Sequence, residues 1–193
     1  MVKRNISPGE WHTEAQRIIN SAFISNEPEP EQKSNPEVYF GEDLVAMQTL
    51  FRNQVFNPES VLYPSCGFDG SPAKVFRDVT FLDSEEGNRG CIELLKKLGF
   101  KALKQDITNY KPAKPHDLLI LLNPQFRSEL ALPHLADRGF VLANNYHRNA
   151  SQILAMPNFE LLGTIDFSQN PVLTRGTKNL RLPQDQLYAF RRR

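Results

Sequence analysis

From residue 61 onward, short apolar runs alternate with stretches of helical spacing, a rhythm that few folds accommodate. The runs Val61–Tyr63, Val79–Leu82, Phe100–Leu103, His116–Leu122 and Gly139–Ala143 read as five strands. Residues Leu118 to Leu122 are apolar without interruption, as in a strand buried on both faces. Helical patterns fall between the strands, at Ser71 to Phe76, 88–98, 128–136 and 150–156. The second of these ends before Gly99, which suits a left-handed stop. Two last strands, Phe159–Phe167 and Leu187–Phe190, have no clear helix between them, and Ser168 to Gln186 reads as a long loop. Strands alternating with helices predict βαβ units, a mainly parallel sheet and helices on both of its faces.

The first strand runs into Pro64-Ser65-Cys66-Gly67-Phe68-Asp69-Gly70-Ser71-Pro72, a glycine-containing turn that opens a helical segment. Glycine lets the backbone approach a ligand closely, and a helix start offers free N–H groups. The turn carries only Gly67 and Gly70 and lacks the G-x-G-x-x-G spacing, which disfavours a dinucleotide. Asp83 ends the second strand 16 residues beyond Gly67. A carboxylate there can accept bonds from two ribose hydroxyls, and a helix N-cap is the alternative reading.

The turn resembles motif I of the class I S-adenosylmethionine-dependent methyltransferases, with Pro64, Cys66 and Gly67 where that family often has P-x-C-G or G-C-G. Tyr63 stands at the family's acid, Ser65 at its first glycine and Asp69 at its third, so Asp69 is the candidate replacement for the acid. The resemblance covers roughly residues 42–193. It implies an α/β fold, a seven-stranded, mostly parallel Rossmann-like sheet whose last strand is antiparallel. It also implies S-adenosylmethionine as cofactor, bound by Tyr63, Ser65, Cys66, Gly67, Asp69, Asp83, Asp106, Ile107 and Asn123, with no metal. Asp106 would reach the adenine amino group while Ile107 packs on the ring; a plain turn aspartate is the alternative.

At the end of the fourth strand, Asn123-Pro124-Gln125-Phe126 resembles the N-P-P-Y/F motif of amino-group methyltransferases, with Gln125 departing from it. The resemblance implies that the Asn123 side-chain oxygen and the Pro124 carbonyl hold a planar amino group on which Phe126 stacks. A strand-end turn touching the cofactor is the alternative. The polar run Asn144-Asn145-Tyr146-His147-Arg148-Asn149 follows the fifth strand at the same sheet edge. It would form the acceptor side of the crevice, with His147 as a general base or as a loop histidine without catalytic duty.

Ahead of this domain, Ser7-Pro8-Gly9-Glu10 is a capping-box start for an amphipathic helix carrying Trp11, Ile18, Ile19 and Phe23. Residues 25–36 are rich in proline and charge and read as a linker. The division is therefore 1–41, helix and Pro/Glu-rich linker, and 42–193, the α/β domain. A second helix follows Glu42-Asp43, with Leu44, Met47, Gln48 and Phe51 on one face.

Among 193 residues there are 23 Lys and Arg against 22 Asp and Glu, so no global charge calls for nucleic acid or an anionic membrane. No run approaches the roughly 20 apolar residues that cross a bilayer, and the expected location is the cytoplasm. Cys66 and Cys91 read as reduced thiols. The expected function is methyl transfer to an unknown nitrogen or oxygen acceptor. The alternatives are a non-catalytic nucleoside-binding or protein-interaction module, and a nucleic-acid amine methyltransferase. Near-neutral charge and the absence of a target-recognition domain weigh against the last.

Overall fold

The computed structural model describes residues 36–166, 171–175, 182–184 and 186–193. The helix expected over 7–24 and the linker ahead of residue 36 lie outside them, as do parts of the long connection before the last strand. The elements run α1 (Glu42–Gln54), β1 (Val61–Pro64), β2 (Val79–Asp83), α2 (Cys91–Lys97), β3 (Lys101–Lys104), β4 (His116–Leu121), β5 (Leu135–Ala143), α3 (Asn149–Leu154), β6 (Phe159–Asp166), β7 (Leu173–Arg175) and β8 (Gln186–Arg192).

The strands form one eight-stranded sheet in the order β3-β2-β1-β4-β5-β8-β6-β7. Pairings from β3 through β5 are all parallel, and β8 lies antiparallel between β5 and β6. The mostly parallel α/β sheet with an antiparallel last strand is therefore as expected. The added eighth strand, β7, is three residues within the connection read as loop, and it pairs antiparallel with β6.

Side-chain alternation sorts the central strands into two core layers. Val61, Phe81, Leu118 and Ile120 point to the face covered by α1 and α2, where Met47, Phe51, Ile92 and Leu95 meet them. Leu62, Leu119 and Leu121 point to the other face, under Ile153 of α3 and Leu132, with Tyr188 and Phe190 from β8. Each such side chain contributes about 1.5–3 kcal/mol on burial, which is why the uninterrupted run of β4 sits at the centre. At the exposed edge β3 alternates instead, with only Ala102 buried among four residues.

Helix α1 starts with Glu42 and Asp43 in its first turn and has Arg52 in its last, both favourable to the helix dipole. Helix α2 ends on Gly99 at φ 83°, with the Gly99 N–H on the Lys96 carbonyl and the Phe100 N–H on the Leu95 carbonyl. That bond pair is the glycine stop the sequence implied.

Two helical expectations are corrected. The segment opened by Ser71 is one 3-10 turn, Ser71–Lys74, because only four residues separate it from β2. Residues 128–136 form two 3-10 turns, Ser128–Leu130 and Leu132–His134, and the chain is already in β5 at Leu135. Pro133 lacks the N–H that a continuing helix needs.

Candidate functional site

In the order β3-β2-β1-β4, the chain leaves β1 in one direction and returns on its other side at β4. Such a switch leaves a crevice beyond the carboxyl ends of the strands. A cavity of about 650 Å³ occupies that place, walled by the turn after β1 and the ends of β2, β3, β4 and β5. Of the residues singled out in the sequence, Tyr63, Ser65, Cys66, Gly67, Asp69, Asp83, Asp106, Asn123 and Phe126 line it. Ile107 lies beside it on a small pocket that shares Ser65, Asp83, Asp106 and Phe126. Pro124 is buried behind the wall, and His147 is exposed and outside the lining.

The turn after β1 is built from left-handed backbone at Ser65 (φ 56°) and Gly67 (φ 53°). Ser65, at the position of the family's first glycine, therefore holds a conformation that favours glycine, at a cost of about 1–2 kcal/mol. Replacing Ser65 by Gly relieves that strain and raises unfolded-chain entropy by roughly 0.5–1 kcal/mol in the opposite sense. A net gain of up to about 1.5 kcal/mol is expected, read as a raised midpoint in urea; a lowered midpoint would contradict the strain.

Tyr63 and Asp69 form a buried pair. The Tyr63 hydroxyl donates to Asp69 Oδ2 at 2.9 Å, and the Ser71 N–H donates to Oδ1 at 2.8 Å, with the Ser71 hydroxyl on the same oxygen. Burial pushes the Asp69 carboxyl up, and the bonds from Ser71 and Tyr63 oppose the rise. The residue in the family's acid position is thus a tyrosine bonded to an acid six positions on. Burial drives the Cys66 thiol well up, as it does Cys91, to about 12, which keeps both protonated and suits neither to nucleophilic attack.

Asp83 is 4 % exposed and spends one bond from each oxygen on backbone, accepting the Gly67 N–H at 2.9 Å and the Glu85 N–H at 2.6 Å. It ties the turn after β1 to the end of β2. A carboxylate has about four acceptor sites, so two remain for a ligand. Glu85, itself at φ 63°, was not singled out in the sequence; it turns back to accept the N–H groups of Gly90 and Ile92 and pairs with Lys104 at 2.7 Å. Those bonds, the one to Lys104 foremost, hold its carboxyl below the usual range. At the end of β3, the Asp106 Oδ1 caps the short turn through Thr108, so its other oxygen is free of that duty.

Asn123, at φ 54°, is locked to Asn144 at the end of β5. Its side-chain oxygen accepts from the Asn144 amide at 2.6 Å, and its N–H donates to the Asn144 oxygen at 3.2 Å. Asn145 and Asn149 point inward as ties, to the Leu182 carbonyl and to the Phe126 carbonyl respectively. Of the polar run after β5, only Asn144 lines the cavity, which narrows the expectation that the run as a whole forms the acceptor side. Tyr39 and Leu44 also line the cavity, and neither was singled out as a site residue. Tyr39 stands in the apolar triplet Val38-Tyr39-Phe40, inside the 1–41 segment that the sequence sets apart from the α/β domain.

Among the described residues no Lys, Arg or His lines the cavity, whereas Asp69, Asp83, Glu86 and Asp106 do. Among the described residues there is no cluster of His, Cys, Asp and Glu that could hold a metal ion, and no helix long and apolar enough to cross a membrane.

No protein-family model matches the chain, and no curated protein matches it by sequence. Solved structures do. The N-methyltransferase NodS of Bradyrhizobium japonicum, in complex with S-adenosyl-L-homocysteine, aligns over 91% of this chain and 96% of its own at 11% identity and a TM-score of 0.53. A TehB-like SAM-dependent methyltransferase from Corynebacterium glutamicum aligns over 96% and 99% at 15% identity and a TM-score of 0.52. Trm5 of Methanocaldococcus jannaschii, in complex with adenosine, aligns over 81% of this chain and 50% of its own at 16% identity and a TM-score of 0.52. Strand order, the crevice at the switch point and these likenesses agree: the chain has the Rossmann-like fold of the class I S-adenosylmethionine-dependent methyltransferases.

Proposed function

We propose that the carboxyl-edge cavity binds S-adenosylmethionine and that the protein is a methyltransferase acting on a nitrogen or oxygen acceptor. The observation that carries this reading is the convergence of the turn after β1, Asp83, Asp106 and Asn123 on one cavity of about 650 Å³. The lining fits the cofactor. Asp83 keeps two acceptor sites for the ribose hydroxyls, Asp106 keeps one oxygen for the adenine amino group, and Ile107 supplies an apolar surface beside it. The carboxylate lining also suits a ligand that carries positive charge.

When bound, the cofactor supplies an electrophilic methyl group on a sulfonium. The protein's part is positioning and exclusion of water. One lone pair of the Asn123 oxygen is spent on Asn144, and the other is available to hold an acceptor amino group, with Phe126 as the stacking surface. No base is drawn from His147, which lies outside the lining. An acceptor presented as a neutral amine needs no strong base.

A second reading is a nucleoside-binding module without catalysis, and the Asn123–Asn144 lock favours it, because an asparagine already paired is a weaker acceptor-holding group. A nucleic-acid acceptor is the least favoured, since among the described residues no cation lines the cavity to meet phosphate.

Incubating a cell extract with methyl-labelled cofactor separates the readings. Catalysis predicts a labelled product that appears with the wild-type protein and falls at least tenfold with Asn123→Ala, while that variant's cofactor affinity stays within about threefold. Absence of any labelled product would favour the binding module; full labelling by Asn123→Ala would refute the acceptor role of that residue.

A further inference from the structure

Residues 36–41 lie against the turn that follows β1. The Tyr39 N–H donates to the Phe68 carbonyl at 3.0 Å, the Gly70 N–H donates back to the Tyr39 carbonyl at 2.9 Å, and the Gly41 N–H donates to the Ser71 hydroxyl at 2.9 Å. Three bonds hold this strap by its backbone. Side chains along an extended segment alternate in direction, and the strap follows the rule. Val38 and Phe40 lie on Gly70, so close that a Cβ built there would meet Phe40 at 2.7 Å and Val38 at 2.9 Å. Phe40 is further held by the Lys74 ammonium over its ring at 4.5 Å and by Phe100 edge-on. Tyr39, between them, lines the cavity and is still 54% exposed.

Nothing in the packing of the core requires an aromatic ring at that position, because the neighbours on either side are the anchors. The Tyr39 hydroxyl feels the Asp69 carboxylate and Cys66, which line the same cavity in the turn where the motif I resemblance is weakest. Burial of its hydroxyl and the nearby Asp69 carboxylate raise the Tyr39 pKa, so the phenol stays neutral and its ring keeps the electron-rich face of an uncharged aromatic.

Resting on the reading of the cavity as a cofactor site, we propose that Tyr39 is a binding residue for the positively charged end of S-adenosylmethionine, its ring forming the wall over the cationic centre. A cation on an aromatic face at a half-exposed site gains enough for a several-fold to tenfold change in affinity. Asp69 and Asp83 line the same cavity and add negative charge, and among the described residues no cation lines it to compete. Because S-adenosylhomocysteine lacks the sulfonium charge, the ring should favour the methyl donor over the demethylated product.

The test is calorimetric titration of both compounds into the full chain and into Tyr39→Phe, Tyr39→Ala and Gly70→Ala, with melting temperature as the control for folding. The expected result is that Tyr39→Ala weakens S-adenosylmethionine about tenfold and S-adenosylhomocysteine less, at an unchanged melting temperature, whereas Tyr39→Phe stays within about twofold for both. Gly70→Ala should reproduce the loss, because the added Cβ displaces the strap through Phe40 and Val38. If the wild type binds and Tyr39→Ala binds both compounds as tightly, the role of Tyr39 is overturned while the cofactor site stands. If the wild type binds neither compound, the cofactor site falls and Tyr39's role with it.

Discussion

Asp83→Ala is expected to lose both ligand affinity and fold stability. From the sequence alone the residue is a ribose acceptor, with a helix N-cap as the alternative. The structure adds two backbone bonds, from Gly67 and Glu85, to a carboxylate only 4 % exposed. Removing it leaves two N–H groups without acceptors, at about 1–3 kcal/mol each. The melting temperature should therefore drop by roughly 10 °C. Loss of the ribose contacts should weaken S-adenosylmethionine by roughly ten- to over a hundredfold. Asp83→Asn keeps one carbonyl oxygen and should fall between. Thermal melting and titration of the same samples separate the two effects, and an alanine variant that melts like the wild type would refute the stitching role.

The second large effect is with pH. His116 is 5 % exposed at the start of β4, with Nε2 paired to the Tyr110 hydroxyl at 2.9 Å and the two rings stacked at 22°. Its Nδ1 is buried with no hydrogen-bond partner among the described residues. Burial, with Lys101 adding to it, lowers its pKa from 6.5 to about 4. Between those values the unfolded chain binds a proton that the folded one refuses. Stability is therefore full above pH 6.5 and lost as pH falls toward 4, by roughly 3 kcal/mol in all from this group. Urea unfolding at pH 7 and pH 4.5 should show His116→Gln losing less stability than the wild type across the interval. Equal losses in the two proteins would mean that His116 titrates normally.

The central sheet was legible because β1, β2 and β4 are buried on both faces, and burial on both faces leaves an uninterrupted apolar run. Asp83 was legible because one crossover, from the turn after β1 to the end of the adjacent parallel strand β2, sets its spacing from Gly67. What could not be read is what pairs across the sheet. Asn123 and Asn144 lie 21 positions apart and meet only because β4 and β5 run parallel in register at their carboxyl ends. Tyr39 was hidden by a different cause: a strap of six residues, 36–41, has too little length for a period to show, and its neighbours on the N-terminal side are proline and charge. Residues 128–136 misled in the opposite way, since the buried Ala131, Leu132 and Leu135 sit at the i+3 and i+4 spacings of a helix although the chain makes two successive 3-10 turns there. β7, only three residues long, is defined by backbone pairing with β6 rather than by any pattern of its own.

The claim on which the rest depends is that the cavity at the carboxyl edge takes the cofactor. Calorimetric titration of the full chain with S-adenosylhomocysteine tests it most directly, since no acceptor or turnover is required. Saturable binding at one site is the expected result, weakened roughly tenfold or more in Asp83→Ala and less in Asp83→Asn. An absence of heat and of any thermal shift at millimolar ligand would contradict it.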